Sequence, residues 1–548
     1  MRPKVDTVSG MQLDSDGGIV AGSRAITRTP TGRETALVAL GQGALMVLGG
    51  VLALLVAQIF GKNAKTDAFF AAYGVYAVGL TFGQTFRLTA VSRLVHGEGP
   101  ATVTRLLVTV SIMVLAVAIP MVVLADPLGH LLVTADPGGI APTVLRILWI
   151  ALLGQLLAAM LATVLAVRGA FTIIGVGTFL SGLLSIGTFL AVESSVGVEG
   201  AAIGLAASAA WMAVLFAIAQ LRTGWRPSLS RHVSLRDVGA EAGHLTLASA
   251  TFIGTSLAYV ICVAVAARLG KGEATLFAYA YALAAILVGV TANVTAMVRS
   301  PALVASRDRA RDTATAGLWS FRFTLVLAGP VLAMAMLVGR PVVSVALGSG
   351  FSHKDVSTIL VTLLCLVGWI LASAGGIFAV VELLARGELR ALASLAAGLV
   401  TVLAGLAIAG GAIAGIEGVA AALSVAMIGA TLLQLRWAFG AEWRGDAVAM
   451  VRATAREVIV LAIAFAPSAA ALLTLGETAA TSVAAALTAA VLVPAVYRVA
   501  WPREYQAMLA LMRRSRPVAL PASASASDDT DGYPPLEPLS HDTDSSAA

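Results

Sequence analysis

Fourteen apolar stretches, each about twenty residues long and parted by short polar breaks, fill the chain from Ala36 to Ala500 and hold almost no charge. A span of ~20 apolar residues matches a hydrocarbon core of roughly 30 Å, so the solvent these segments fold in is a bilayer. With 58% hydrophobic and 12% charged residues, the chain has too little polar surface for a water-soluble domain of its length. The spans are expected to begin near residues 36, 68, 104, 145, 170, 200, 245, 275, 317, 356, 391, 418, 458 and 478. They are apolar on every face, whereas a membrane barrel needs short segments of alternating polarity; an all-α polytopic fold follows.

The net charge of +6 matters through its distribution rather than its size, and it does not point to nucleic acid. If the first 35 residues lie inside, 29 of the 36 Lys and Arg residues fall in cytoplasmic segments, as the positive-inside rule requires. Lys62, Lys65, Arg146, Arg268, Lys271, Arg340 and Lys354 remain for the outer loops. Both termini are therefore expected in the cytoplasm of a multi-pass cell-membrane protein. Clusters such as Arg222, Arg226, Arg231 and Arg236, or Arg307, Arg309 and Arg311, read as orientation signals and contacts to anionic membrane lipids. Trp225, Trp319, Trp437, Trp443 and Trp501 fall near the inner interface, as an aromatic belt would. The polar first 34 residues lack the apolar core of a secretory signal, so the first span is expected to direct insertion. Cys262 and Cys365 both lie in apolar spans and read as packing residues.

A second pattern divides the chain. Gly61-Lys62 recurs as Gly270-Lys271, Pro120 as Pro330, Pro127 as Pro341, and Arg168-Gly169 as Arg386-Gly387. The run Gly197-Val198-Glu199-Gly200 recurs as Gly415-Ile416-Glu417-Gly418, and the offset climbs steadily from 209 to 218. An ordered series with slowly growing loops is the mark of duplication. Each unit holds an even number of spans, so the two repeats are parallel, related by an axis along the membrane normal. The expected division is a cytoplasmic segment 1–35, an N-lobe of six helices 36–221, a cytoplasmic linker 222–244, a C-lobe of six helices 245–440, two further helices 441–500, and a disordered cytoplasmic tail 501–548. Two such bundles enclose a central cavity, and rocking one against the other exposes it to each side in turn. Pro120 and Pro330, inside spans, bend their helices and are candidate hinges as well as packing kinks.

The segments Val47-Leu48-Gly49, Val56-Ala57-Gln58-Ile59-Phe60-Gly61 and Thr66-Asp67-Ala68-Phe69-Phe70-Ala71-Ala72 resemble the start of the lipid II flippase family of MurJ/MviN type. Trp319, Arg322 and Pro330 resemble the corresponding segment of its ninth span. The resemblance implies the fold of the multidrug/oligosaccharidyl-lipid/polysaccharide (MOP) exporter superfamily and the flipping of a lipid-linked sugar headgroup by alternating access. A pyrophosphate-sugar head cannot cross hydrocarbon without polar or cationic partners. Here the chain departs from the family. At positions where the family carries cavity arginines in its first, second and eighth spans, this chain has Met46, Leu52, Leu80 and Ala282. Arginine is the side chain best suited to bidentate phosphate contact, so the departure bears on the cargo more than on the fold.

The polar residues left on the matching helices are Gln58, Gln84, Arg87, Asn293 and Arg299, the candidate substrate contacts. Helix–helix hydrogen bonding accounts for Gln58 and Asn293 equally well, and snorkelling to lipid headgroups accounts for Arg87, Arg93 and Arg299. Asp67, Phe69, Phe70, Pro120, Pro330 and Arg322 form the candidate gating and structural set. Asp67 in particular is placed to cap its own helix. Glu199 and Glu417 sit in turns between glycines, and Glu382 and Arg386 are spaced to pair on one helix face. No phosphate loop, metal spacing or catalytic constellation is present, so neither an enzyme nor a cofactor is expected.

The functional expectation is a flippase or exporter for a lipid-linked glycan, with cell-envelope glycan-synthesis enzymes as possible partners. Two alternatives stand beside it. A drug/cation antiporter of the MATE branch would place a coupling carboxylate within a span, and spans 1, 2, 7 and 8 have none inside. A non-transporting scaffold would keep the fold and lose the polar cavity.

Overall fold

The computed structural model describes residues 32–95, 100–133, 139–167, 170–222, 235–293, 295–296, 299, 303, 306, 308–348, 350–475, 479–502 and 505–506. For residues 84–95 and 100–107, and for part of the first helix, it describes the backbone alone. Every regular element among them is helical. In lipid a helix satisfies its own backbone donors and acceptors, which is why runs this apolar adopt no other form.

The first half of the chain forms α1 (Gly32–Phe60), α2 (Ala64–Val95), α3 (Pro100–Val123), the short α4 (Ala125–Leu132), α5 (Ile140–Val167), α6 (Phe171–Val196) and α7 (Glu199–Arg222). The second half forms α8 (Leu235–Leu269), α9 (Glu273–Val288, prolonged by a π turn Gly289–Asn293), α10 (Arg309–Leu347), α11 (His353–Cys365), α12 (Val367–Ala385) and α13 (Leu389–Phe439). After α13 come α14 (Trp443–Leu475) and α15 (Ala479–Ala500). By length and composition nine helical stretches among the described residues are able to cross a membrane, or ten with the bent α3–α4 pair; one of the nine, Leu389–Thr474, runs through a kink and a short connection. The chain is a multi-pass membrane protein.

Its surface fits that solvent: Ile413, Leu473 and Val499 are more than 80% exposed, and apolar side chains of this size covering helix after helix belong in lipid. The interior is held by small residues that let backbones touch. Gly204 of α7 lies against the Ser185 backbone of α6, and Gly254 of α8 against Ala396 of α13.

The expected repeat positions give matched local geometry in one place and different geometry in another. Gly197 (φ 81°) separates α6 from α7, and Gly415 (φ 62°) turns the chain back within α13, so that Gly410 and Gly418 meet backbone to backbone. A left-handed backbone at each turn is what glycine permits at little cost. The prolines diverge. Pro120 stands four residues before Leu124, where α3 and α4 meet at 72°; Pro330 and Pro341 lie inside the single helix α10.

Between the halves α2 packs against α8 and α9, and α1 against α9 and α10; α14 and α15 pack on each other and on α10.

Candidate functional site

The two halves are joined by hydrogen bonds and an ion pair at the end of the molecule formed by the Gly61–Thr66 and Gly270–Gly272 turns, which the charge count assigns to the outside. The α2 turn is closed by its own residues: Asn63 Oδ1 accepts from the backbone N–H groups of Lys65 (2.8 Å) and Thr66 (3.1 Å), and Thr66 Oγ1 accepts from Asn63 N–H (3.1 Å). That frees Asp67 from the capping role on its own helix that the sequence predicts. Its carboxylate reaches across to α9 instead. Oδ2 accepts from Gly272 N–H at 2.6 Å, and Oδ1 accepts from Thr275 N–H at 2.9 Å and from the Thr275 hydroxyl at 2.6 Å.

The first helical N–H groups have no partner within their helix, and Gly272, the residue at the N-cap of α9, has no side chain to supply one. Asp67 supplies it from 205 positions away, and its negative charge stands at the positive end of the helix dipole. Gly272 is held at φ 83°, and a Cβ there would collide with the aliphatic stem of Lys62 folded over it. The Lys62 ammonium continues outward to Asp355 of α11 at 2.8 Å and to Glu273 of α9 at 3.9 Å. Asp355 is positioned by a capping box with Ser352 at the start of α11.

Two contacts join positions that the repeat pairs with each other. Thr275 Oγ1 and Thr66 Oγ1, offset by 209, are 3.1 Å apart in a buried hydrogen bond. Phe70 and Tyr279, also offset by 209, pack edge to face at 5.1 Å. Phe69, on Phe70 at 5.3 Å, and Phe351, on Tyr279 at 5.8 Å, extend an aromatic layer beneath the polar clasp. Asp67, Phe69 and Phe70 are all buried.

The five candidate substrate residues do not gather at one place. Gln58 is near the clasp end of α1, beside Gly348. Asn293, half-buried, ends the π turn of α9, and 21 residues of helix put it about 30 Å from Gly272. Arg299 is half-buried, its guanidinium 4.6 Å from the ring centre of Trp319 on α10. Gln84 and Arg87 lie 17 and 20 residues beyond Asp67 on α2, about 25–30 Å along the helix; their side chains fall outside the described residues. At the family's arginine positions Leu52 is buried, Leu80 and Ala282 are half-buried, and the Met46 side chain lies outside the described residues.

Glu382 and Arg386 pair as their spacing predicts, at 2.7 Å, with Glu382 buried. Arg309, expected to face lipid, instead donates its Nε–H to the other Glu382 oxygen at 3.2 Å and ties the start of α10 to α12. Thr275, Lys62, Glu273 and Asp355 were absent from the sequence-derived site. The repeat carried a signal for one of them, since Thr275 is the offset partner of Thr66. Cys262 is fully buried and Cys365 half-buried. Of the linker expected at 222–244, Arg222 ends α7 and residues 235–244 already belong to α8, while 223–234 lie outside the described residues; of the tail expected from 501, residues 501–502 and 505–506 are described, with Trp501 buried, and the rest lies outside them.

No protein-family model matches the chain, and no curated protein does. Solved structures do. A lipid II flippase MurJ in an inward closed conformation superposes with a TM-score of 0.64 at 16% identity, covering 86% of this chain and 99% of that one. A MOP superfamily transporter from Pyrococcus furiosus gives 0.61 at 15% identity over 78% and 99% of the two chains. An outward-facing multidrug resistance MATE family transporter gives 0.57 at 16% over 79% and 99%. The chain shares the fold of these MOP superfamily transporters. Within that fold, the MurJ-type resemblance of its first two spans agrees with the MurJ superposition, and the solved proteins it matches are transporters rather than enzymes.

Proposed function

We propose that the protein moves a lipid-linked glycan or a related amphiphile across the cell membrane by alternating access between two parallel six-helix lobes. In this reading fourteen spans cross the bilayer with both termini in the cytoplasm, and α14 and α15 are the two spans outside the repeat. The observation that carries it is the clasp at the outer end. Asp67 of α2 caps α9, and Thr66 meets Thr275, its partner in the expected repeat. A contact made of hydrogen bonds to a helix end is directional and separable, unlike an interdigitated apolar seam. Closing it shuts the outside; parting it opens the path. Gln84, Arg87, Asn293 and Arg299, toward the opposite end, are then the polar groups available to a headgroup entering from the cytoplasm.

Leu52, Leu80 and Ala282 at the family's arginine positions favour a cargo whose head bears less charge than the lipid II pyrophosphate, or one held by different cations. The MATE-type antiporter is disfavoured by the expected apolar spans 1, 2, 7 and 8, whose carboxylates lie only at the helix ends, Asp67 in the first turn of α2 and Glu273 at the start of α9.

The test is a T66C/T275C variant, built on a chain whose Cys262 and Cys365 are replaced by serine and reconstituted in proteoliposomes. Fluorescent polyprenyl-pyrophosphate sugars and a small organic cation serve as cargoes. Oxidation is expected to stop lipid movement and reductant to restore it. Undiminished movement in the cross-linked protein rules out outer opening; transport of the cation alone favours an antiporter, and movement of neither cargo favours the scaffold.

A further inference from the structure

At the end of the molecule opposite the clasp, where α14 begins and α15 ends, a cavity of about 410 Å³ opens between these two helices and α10. Three arginines line it: Arg322 from α10, and Arg452 and Arg456 from α14. Arg452 and Arg456 stand four apart on one face of α14, a spacing at which like charges repel. Arg456 is braced by the end of α15, donating to the Ala500 carbonyl with its guanidinium 4.7 Å from the Trp501 ring centre. Arg322 Nε is buried without a hydrogen-bond partner. Among the described residues no carboxylate pairs with any of the three. Glu457, beside Arg456 in sequence, is buried and accepts from the Tyr497 hydroxyl.

Three positive charges round one cavity, one with a buried unused donor, offer an anion a site; the unmet Arg322 donor keeps its desolvation cost until an acceptor reaches it. Guanidinium forks match phosphate oxygens in pairs, and three of them from two helices enclose a tetrahedral anion. The rest of the wall is apolar, with Ala453 and the Trp501 ring at the level where interfacial tryptophans sit. A free ion has no use for that wall, whereas the glycerol and first acyl carbons of a lipid do.

We infer that this cavity binds the phosphate group of an anionic membrane lipid, which bridges α10 to the α14–α15 pair. Arg322 and Arg456 form the fixed part of the cradle; Arg452, exposed and without a hydrogen bond, closes on the arriving phosphate.

The full chain in neutral detergent is titrated with phosphatidylglycerol, phosphatidylcholine or inorganic phosphate, and bound lipid is counted by native mass spectrometry alongside thermal unfolding. Wild type is expected to retain phosphatidylglycerol and to be stabilised by it. R452Q, which removes an exposed side chain and leaves the packing intact, should weaken that binding about ten-fold, the loss of one charge-assisted contact. R444Q, which removes an exposed charge two turns away on the same helix, should leave it unchanged. Equal affinity in wild type and R452Q overturns the site. An equal loss in R444Q reduces the effect to surface charge and overturns it too. Phosphatidylcholine binding as tightly as phosphatidylglycerol shows that charge is not read, and inorganic phosphate protecting as well as the lipid shows that no lipid is needed; either result overturns the inference.

Discussion

The two ends of the molecule treat polar groups in opposite ways. At the clasp the charges that meet between the halves are paired: Asp67 accepts three hydrogen bonds from α9, and Lys62 reaches Asp355 and Glu273. At the arginine cavity the charges share one sign, and a buried donor of Arg322 is unmet. The contrast teaches where the protein is complete by itself and where it is not. A satisfied network holds two halves together in one state; an unsatisfied one is a site for something brought from outside.

The largest effect is expected from Asp67→Ala. It strips Gly272 N–H, Thr275 N–H and the Thr275 hydroxyl of their acceptor at once, a loss of ~3 kcal/mol from the closed arrangement. Chemical unfolding in detergent should show it, and the clasp end should become accessible to labelling. Should Asp67→Ala leave both unchanged, the cap contributes nothing to closure, and the difference between the two ends disappears. Asp67→Asn keeps one acceptor oxygen and should fall between wild type and the alanine variant.

Gly272→Ala comes next. An L-residue at φ 83° costs roughly 1–2 kcal/mol, and its Cβ must displace the Lys62 stem. A drop in thermal stability, with weaker Lys62–Asp355 coupling, is the expected result. A silent substitution would mean that the turn relaxes freely.

The smallest effect belongs to the ion pair. Lys62 and Asp355 are partly exposed, so a double-mutant cycle of Lys62→Met and Asp355→Asn should give a coupling of ~0.5–1 kcal/mol that shrinks as salt rises. A salt-independent value of several kcal/mol would mean that the clasp is driven by this pair rather than by the Asp67 cap.

Much of this was legible in the chain. Apolar length gave helices, charge asymmetry gave an expected orientation, and Gly197 and Gly415 marked turns that the backbone makes with positive φ. The Glu382–Arg386 pair was readable because its partners are four residues apart on one helix. Asp67 was misassigned for the converse reason. Its position in the first turn of α2 satisfies the local rule for a cap, but Asn63 and Thr66 already fill that role, and the vacant donors belong to a helix that begins 206 residues later. Arg309 fits a headgroup contact by sequence alone, because its partner Glu382 lies 73 positions away. Pro120 and Pro330 looked alike and behave differently, since whether a proline-bearing stretch breaks depends on what packs beside it.

What the sequence determined alone was the solvent and the secondary structure, because each follows from residue type and spacing along the chain. What the tertiary structure decided was which unit caps which helix and where three arginines from separate spans share a cavity. Those are contacts between segments hundreds of residues apart, and their geometry exists only once the helices have packed.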